Sequence, residues 1–224
     1  MPDAIDPDPD PGLTLLETPA AQSTAVHEFA LATLETAGEA YWIDAANTAT
    51  TRVLFDLARD DRHLRGLRIA RAFTAYQHHQ LVRRVVERVG ARTALVVVPN
   101  VGALYGDADL ADWEAADLLE ASLRYLSELG HAADLPVIVT TAGDGEHADT
   151  CREHADSVVT CRETRFGHAF EGGGVETTAY RCGRFWQTTI PYWVELCGTV
   201  PAVEFPIVPG LDHAPAVGQR TLEV

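Results

Sequence analysis

Lysine is absent from this 224-residue sequence, because all 17 basic residues are arginines, against 33 carboxylates and a formal net charge of −16. So acidic a surface is unfavourable for binding nucleic acid. An acidic, lysine-free composition is also typical of proteins that work in molar salt, which screens the self-repulsion of the charges. The composition therefore predicts a halophilic protein. On that interpretation, the charge reflects habitat and argues only weakly against DNA contact.

Three further absences restrict the class of protein. The four cysteines form no C-x-x-C pair, so neither a zinc ribbon nor a redox motif is indicated. The opening MPDAIDPDPDPG lacks the basic segment and the apolar core of a signal peptide, and it predicts a disordered acidic tail over residues 1–12. No run approaches the ~20 apolar residues of a membrane span. We therefore expect a cytoplasmic protein with no membrane contact.

Apolar content of 46% is enough for one well-buried core, and short apolar runs alternate with amphipathic segments from residue 13 onward. Several of the runs are nearly continuous, as in strands that helices cover on both faces. The pattern predicts an α/β domain with a mostly parallel sheet. Strands are predicted over 13–17, 40–45, 67–73, 93–99 and 135–143, and helices over 20–37, 48–60, 75–89 and 110–133.

Short β segments replace this alternation after about residue 156. We predict that these segments are antiparallel strands that extend one edge of the sheet, with a tight hairpin at Gly183. They cover 156–164, 168–172, 175–183 and 184–190. The domain is thus expected to span 13–200, and the proline-rich remainder, 201–224, to form a tail or an arm.

Two stretches carry a resemblance to a known family. IARAFTAYQHHQLV (69–82) and YWIDAANT (41–48), followed by LVVVPN and PVIVTT, resemble the core of the RecA/RadA recombinase superfamily in order and spacing. The resemblance covers residues 13–145; an unrelated doubly wound domain is the alternative. It implies a RecA-like three-layer αβα sandwich that binds ATP between subunits and, in active members, polymerises on DNA.

On this resemblance, ETPAAQST (17–24) stands where the family has its phosphate-binding loop. Such a loop needs glycines, a lysine and a Ser or Thr that binds Mg²⁺. Only Thr24 keeps its residue type; Ser23 stands in the place of the lysine, and Pro19 is expected to open the following helix at its first turn. The degenerate positions of the loop are Glu17, Pro19, Gln22, Ser23 and Thr24.

The remaining positions of the implied nucleotide site are also altered. Ala46 stands where the family has the carboxylate that activates water, and Pro99 and Asn100 stand where the Walker B strand ends in aspartate. Thr141 or Ala142 replaces the sensor glutamine. Because phosphoryl transfer depends on positioned positive charge and metal, the resemblance implies a protein that has lost ATPase chemistry and needs no cofactor.

One polar cluster is a candidate for contact with a ligand or a partner, because it falls near the carboxyl edge of the predicted sheet, where ligands bind in open α/β folds. The alternative is an ordinary helix N-terminus that Thr74 caps. The cluster consists of Arg71, Gln77, His78, His79 and Gln80.

Two other groups of side chains bear on function. The aromatics Trp186, Tyr192 and Trp193 are candidates for a subunit or partner interface, or else cover the sheet edge. A helix predicted over 145–155 places His147, Cys151 and His154 on one face, but no fourth ligand is evident, so no metal site is predicted.

The leading hypothesis is a non-catalytic RecA-fold paralogue that serves as an accessory or regulatory protein in DNA recombination or repair. It would act through protein partners, either a recombinase-type protein or a second copy of itself as a homo-oligomer. Two alternatives stay open: a RecA-like DNA-repair protein that binds or hydrolyses ATP at an atypical site, and a sensor that binds a metal or small ligand in the old cleft.

Overall fold

The computed structural model describes residues 9–34, 38–45, 47, 49–58, 64–106, 110–142, 147–165, 167–176, 179–182 and 185–188. The chain divides into a unit Met1–Pro191 and a unit Tyr192–Val224. All of the described residues belong to the first unit. The predicted tail at 201–224 and most of the tail at 1–12 lie outside the described residues.

Ten strands and five helices are described, and strands and helices alternate as far as β6. The strands are β1 (Gly12–Thr18), β2 (Glu39–Asp44), β3 (Leu67–Arg71), β4 (Thr93–Val98), β5 (Pro136–Ala142), β6 (Ser157–Thr164), β7 (Gly167–Gly172), β8 (Val175–Glu176), β9 (Ala179–Cys182) and β10 (Phe185–Thr188). The helices are α1 (Ala25–Thr33), α2 (Thr51–Leu57), α3 (Ala75–Val86), α4 (Asp112–Ala133) and α5 (Ala148–His154).

The main sheet has eight strands in the order β3-β2-β4-β5-β1-β6-β7-β8. Strands β1 to β6 are parallel, and β7 and β8 run antiparallel to their neighbours. The predicted α/β class, with a mostly parallel sheet and antiparallel C-terminal strands, is confirmed. The carboxyl ends of the six parallel strands therefore meet at one edge, which we call the carboxyl edge.

The helices cover both faces of the sheet, as a three-layer sandwich requires. Helices α1 and α2 bury Phe29 and Leu54 against one face, in a core that includes Trp42 of β2. Helices α3, α4 and α5 cover the opposite face, in a core that includes Leu123 of α4 and Cys151 of α5. Adjacent residues of a strand thus enter different cores, which is why the strands are apolar on both sides.

The prediction for the start of α1 is wrong. The helix was expected from residue 20 with Pro19 in its first turn, but it begins at Ala25, five residues later. Residues 19–24 form a loop held by its own hydrogen bonds, including one from the Ser23 amide to the Ala20 carbonyl at 3.0 Å. The helix also ends at Thr33, four residues before the predicted end at residue 37.

The predicted edge extension is correct in part. β6 was expected to be antiparallel but pairs parallel with β1, so the antiparallel extension begins only at β7. The segment 175–183 divides into β8 and β9, and β9 pairs antiparallel with β10 in a separate two-stranded sheet. The hairpin is therefore confirmed, whereas its membership of the main sheet is not; Gly183 itself lies outside the described residues.

Candidate functional site at the carboxyl edge

A cavity of about 290 Å³ opens at the carboxyl edge between β1, β4 and β5. Its walls are Ala21 of the β1–α1 loop, Asn100 and the segment 102–106 after β4, the end of β5, and His147 with Ala148 at the start of α5. The helices that follow β1 and β5 cover opposite faces of the sheet. In open α/β sheets such a switch between faces is where ligands bind.

The β1–α1 loop, which the resemblance aligns with a phosphate-binding loop, is closed by contacts within the protein. Thr18 Oγ1 lies 3.1 Å from the carbonyl oxygens of both Ala20 and Thr141, and its one proton is shared between these two acceptors. The Asn100 side-chain amide donates to the Ala21 carbonyl at 2.7 Å. The loop thus presents a carbonyl toward Asn100. A phosphate would need backbone N–H groups there instead.

Glu17, at the end of β1, is held by an arginine of α5. Arg152 Nε donates to Glu17 Oε1 at 2.7 Å, and Thr160 Oγ1 donates to Glu17 Oε2 at 3.3 Å. The Glu17 carboxylate, followed by that of Asp149, raises the pKa of the Arg152 guanidinium. Arg152, which contacts the first residue of the degenerate loop, is therefore engaged by carboxylates of the protein itself.

Asn100 holds the loop and β5 together from the position where the resemblance places a Walker B aspartate. Its backbone amide donates to Thr140 Oγ1 at 2.8 Å, and its backbone adopts a left-handed conformation with φ of 50°. Pro99 precedes it, and both residues are buried. The side chain at this position is an amide that donates a hydrogen bond to the loop, where metal support would require a carboxylate.

The predicted replacement of the water-activating carboxylate, Ala46, lies outside the described residues. Its neighbour Asn47 is exposed and has φ of 54°. Thr141 and Ala142, which stand near the expected sensor glutamine, both line the cavity. The structure therefore brings residues of 17–24, 99–100 and 141–142 into contact with one another.

The polar cluster predicted after β3 does not form one surface. Arg71 turns back toward the sheet, where its Nε donates to the buried Asp44 Oδ2 at 3.1 Å and its Nη2 to the Ala49 carbonyl at 3.1 Å. Gln77 takes part in capping α3. Its side-chain Oε1 accepts from the backbone N–H of Phe73, and its backbone N–H donates to Thr74 Oγ1. This reciprocal capping fits the alternative interpretation of the segment.

The two histidines of that cluster enter a buried network that holds one wall of the cavity. His78 Nδ1 lies 2.7 Å from Tyr105 Oη, which lies 3.0 Å from Ser122 Oγ. His79 Nδ1 lies 3.0 Å from the same Ser122 Oγ. Burial lowers the pKa of His78 to about 4 and raises that of Tyr105 to about 12, so both are neutral at pH 7. Of the cluster, Arg71, Gln77 and Gln80 reach the surface.

The sequence did not single out Asp44, Tyr105 or Ser122 as functional residues. Asp44 ends a continuous apolar strand, a position where a charge must find a partner, and that signal could have flagged it. Tyr105 and Ser122 carry no comparable local signal, because their partners lie 27 and 17 residues away along the chain.

Three exposed aromatic side chains lie beside this region, at the N-terminal ends of α3 and α4. Phe73 is 74% exposed, Tyr76 51% and Trp113 70%. Tyr76 Oη donates to Glu114 Oε1, and this contact joins the two helix ends. Trp113 is the residue before Glu114 in the chain. We call Phe73, Tyr76 and Trp113 the aromatic patch.

The other predicted groups are only partly described. Trp186 lies in β10, whereas Tyr192 and Trp193 fall outside the described residues. Cys151 is buried in the core, and His154 Nδ1 contacts the Thr150 carbonyl at 2.9 Å, so with His147 at the cavity the three do not converge. Among the described residues, no group of three or more His, Cys, Asp or Glu side chains could hold a metal ion.

No protein-family model matches the sequence, and no curated protein matches it at a significant level. Over the part of the chain that the structure describes, no helix combines the length and apolar character needed to cross a membrane.

Proposed function

We propose that this protein is a RecA-like domain that does not transfer phosphoryl groups and that serves DNA recombination or repair as an accessory protein, through a protein partner. The observation that carries the proposal is the lining of the cavity, which among the described residues includes neither Arg nor a carboxylate. Within the described lining, His147 carries the single ionisable side chain. The resemblance of residues 13–145 to the RecA/RadA superfamily supports the pathway.

Catalysis of phosphoryl transfer rests on positive charge and metal placed around the phosphates. Here the nearby Arg152 is engaged by Glu17, and the side chain at Asn100 binds the loop carbonyl of Ala21. A triphosphate would bring several negative charges to a site whose described lining includes no arginine, which is costly wherever water is excluded. These contacts favour an accessory role over ATP hydrolysis.

The aromatic patch supports the choice of a protein as partner. Exposed aromatic side chains are enriched in protein interfaces and often carry most of the binding energy. Carboxylates at Asp112 and Glu114 in the first turn of α4 flank Trp113, and the chain as a whole is strongly acidic. The patch therefore fits a partner surface that combines apolar and basic side chains.

Calorimetric titration of the full chain with Mg²⁺ and ATP in molar KCl tests the loss of nucleotide chemistry. We expect no heat of binding and no phosphate release. Micromolar binding of ATP would overturn the proposal and favour the RecA-like ATP-binding alternative.

Cross-linking in a high-salt lysate, followed by mass spectrometry, tests the partner. The double variant Phe73→Ala/Trp113→Ala should lose at least ~10-fold of the cross-linked partner, since central aromatic anchors typically contribute 2 kcal/mol or more. Phe55→Ala is the matched control, because Phe55 is also exposed but lies on α2, on the opposite face of the sheet.

Two outcomes would contradict the proposal. If the double variant and the wild type capture the same partner equally, the patch is not the interface; if the partner has no role in DNA metabolism, the pathway is wrong. A concentration-dependent sedimentation shift that the double variant abolishes would assign the patch to a homo-oligomer instead.

A further inference from the structure

The arginines of this protein are concentrated in one part of the chain. Residues 35–92 hold 10 of the 17 arginines and 7 of the 33 carboxylates, and these counts include 59–63 and the other positions there that lie outside the described residues. The continuous described stretch 64–106 has seven arginines and one carboxylate, Glu87. A part of the chain with a net charge of +3 thus belongs to a protein with a net charge of −16.

Two of these arginines share one carboxylate at the amino edge of the sheet, where the parallel strands begin. Glu39 is the first residue of β2. Arg68 Nη2 of β3 and Arg92 Nη2, just before β4, lie 3.8 Å and 2.8 Å from the same atom, Glu39 Oε1. Their side chains are 62% and 83% exposed. Because one carboxylate cannot neutralise two guanidinium groups, positive charge remains at this corner of the fold.

Three further exposed arginines lie around the same start of β2. The end of α3 reaches it, because Tyr41 Oη donates to the Arg88 carbonyl at 3.4 Å, and Arg84 lies one helical turn before Arg88. The second residue of β2 donates its backbone N–H to the Gly66 carbonyl at 3.1 Å, which brings the preceding Arg65 to this corner. We call this set the arginine surface, and its members are Arg65, Arg68, Arg84, Arg88 and Arg92.

The stability of the fold does not account for this grouping. Within the described part of the chain, Arg65, Arg84 and Arg88 form no ion pair with a carboxylate. An arginine in the last turn of a helix interacts favourably with the helix dipole, which explains Arg84. Like charges four positions apart, as at Arg84 and Arg88, repel each other. A set of exposed guanidinium groups with so few carboxylates of its own is suited to an anionic partner.

The side chains around the arginine surface favour nucleic acid over protein as that partner. Protein interfaces have aromatic and apolar groups at their centre, whereas interfaces with DNA are more polar and much more positive. The exposed aromatic side chains among the described residues lie elsewhere, Phe55 on α2 and the aromatic patch at the carboxyl edge. Proteins bind single strands by stacking the bases on aromatic side chains. A duplex that is held by its phosphates therefore fits this surface better than a single strand.

The acidic remainder of the protein does not prevent such a contact in salt. The screening length is about 8 Å at physiological ionic strength and about 3 Å in molar salt. Carboxylates farther away than this repel a bound phosphate only weakly, whereas an arginine in direct contact still donates two hydrogen bonds to it. The local arginines, and not the net charge of −16, therefore decide whether a duplex binds.

We propose that the arginine surface binds the phosphate backbone of duplex DNA without sequence specificity. This inference goes beyond the accessory role, which concerns a protein partner at the aromatic patch, and either can hold without the other. The surface lies at the edge of the sheet opposite to the loop at 17–24, where the resemblance places nucleotide binding. One molecule would then hold a protein at one edge and a duplex at the other.

Fluorescence anisotropy of a labelled duplex with the full chain tests this surface. The titrations begin at the lowest KCl concentration at which circular dichroism shows the chain folded. We expect equal affinity for two unrelated sequences, with a dissociation constant on the order of 10⁻⁴ M or tighter at that concentration. Log K should fall linearly with log [KCl] with a slope of about −4, as about four or five phosphate contacts require. Absence of binding would overturn the proposal.

Two double variants with the same change in charge locate the binding. Arg84→Gln/Arg88→Gln should make the slope shallower by about 2 and weaken binding about tenfold, because two phosphate contacts are lost. Arg52→Gln/Arg162→Gln is the matched control, because these side chains are 90% and 70% exposed and lie on α2 and in β6, away from the arginine surface. Equal weakening by both double variants would show that the net charge alone acts, and would overturn the proposal.

Two competitors decide between the classes of partner. Polyglutamate presents carboxylates on a polypeptide, and a single strand presents phosphates without the duplex. Displacement of the duplex by polyglutamate at an equal concentration of charge would assign the surface to an acidic protein, and tighter binding of the single strand would also contradict the proposal. Phe73→Ala/Trp113→Ala should leave duplex binding unchanged, which separates this test from that of the protein partner. Urea unfolding confirms that each variant is folded.

Discussion

At the carboxyl edge of the sheet, the charged side chains beyond β2 and β3 differ in their environment from those beyond β5 and β1, in the middle of the sheet. Beyond β2 and β3, the fully buried carboxylate of Asp44 is paired with Arg71, whose side chain is 47% exposed. Beyond β1 and β5, Glu17 and Arg152 pair to one side, and the described residues that line the cavity include neither Arg nor a carboxylate. Where the edge carries charge, the charge therefore serves the fold. The described lining of the cavity offers hydroxyl, amide and imidazole groups.

The difference in burial between the two ion pairs gives the largest expected effect. Arg71→Ala would leave the Asp44 carboxylate, which is 0% exposed, without its guanidinium, and should lower the free energy of unfolding by about 3 kcal/mol or more. Arg152→Ala should cost clearly less, because the side chain of Glu17 is 20% exposed and water can solvate it.

Urea unfolding of both variants in molar KCl measures this contrast. The conservative variant Arg71→Lys serves as a control that keeps the charge but loses the two-pronged contact to Asp44 and the Ala49 carbonyl. If Arg71→Ala and Arg152→Ala lower the free energy of unfolding equally, the burial of Asp44 does not make its ion pair the more important of the two.

The fold class could be predicted because its signal is local. Short apolar runs between amphipathic segments are enough to indicate a parallel sheet with helices on both sides. The direction of β6 could not be predicted, because Val159 and Cys161 would be buried equally well in either direction. Its parallel pairing depends on β1, which lies about 143 residues earlier in the chain.

The sequence could indicate which positions meet at the carboxyl edge, but not which contacts they make there. The resemblance placed the loop at 17–24 and Asn100 near each other, and the structure joins them through the bond to Ala21. The conformation of the loop was predicted wrongly. Pro19 has the local signature of a helix start, but the hydrogen bonds of residues 18–23 favour a closed turn. The aromatic patch was missed because it joins residues of two helices, such as Tyr76 and Trp113.

Two histidines on opposite faces of the sheet should give opposite responses to pH. Burial, with a smaller contribution from the charge of His79, lowers the pKa of His78 from 6.5 to about 4. The unfolded state then binds the proton more readily than the folded state. The contribution of neutral His78 to the free energy of unfolding is therefore fully present above pH 6.5 and is lost as the pH falls toward 4. The full loss amounts to about 3 kcal/mol. Protonation of His78 would disturb its hydrogen bond with Tyr105, in the segment that follows β4.

His168 acts in the opposite direction. Its hydrogen bond to Glu28 raises its pKa above 6.5. The stability it contributes is therefore present below pH 6.5 and is lost as the pH rises through the folded-state pKa.

Unfolding midpoints in urea between pH 4 and 8 separate the two histidines. His78→Phe should flatten the loss of stability between pH 6.5 and 4, and His168→Gln should remove the dependence above pH 6.5. His154→Gln, which changes an imidazole on α5, is the control. If the slope below pH 6.5 persists in His78→Phe, the buried network does not cause it.

The smallest expected effect is also the most specific to the cavity, because it contrasts two adjacent threonines of β5. Thr140 Oγ1 accepts the hydrogen bond of the Asn100 amide at 2.8 Å, so Thr140→Val leaves a buried N–H unsatisfied and should cost about 1–3 kcal/mol. Thr141→Val removes a hydroxyl that has no partner among the described residues, and should leave the unliganded protein as stable as before or more stable by about 1 kcal/mol. The two variants differ by one position in one strand and have the same change in composition, so urea unfolding compares them directly. A loss in Thr141→Val as large as that in Thr140→Val would show that the Thr141 hydroxyl is already satisfied within the fold.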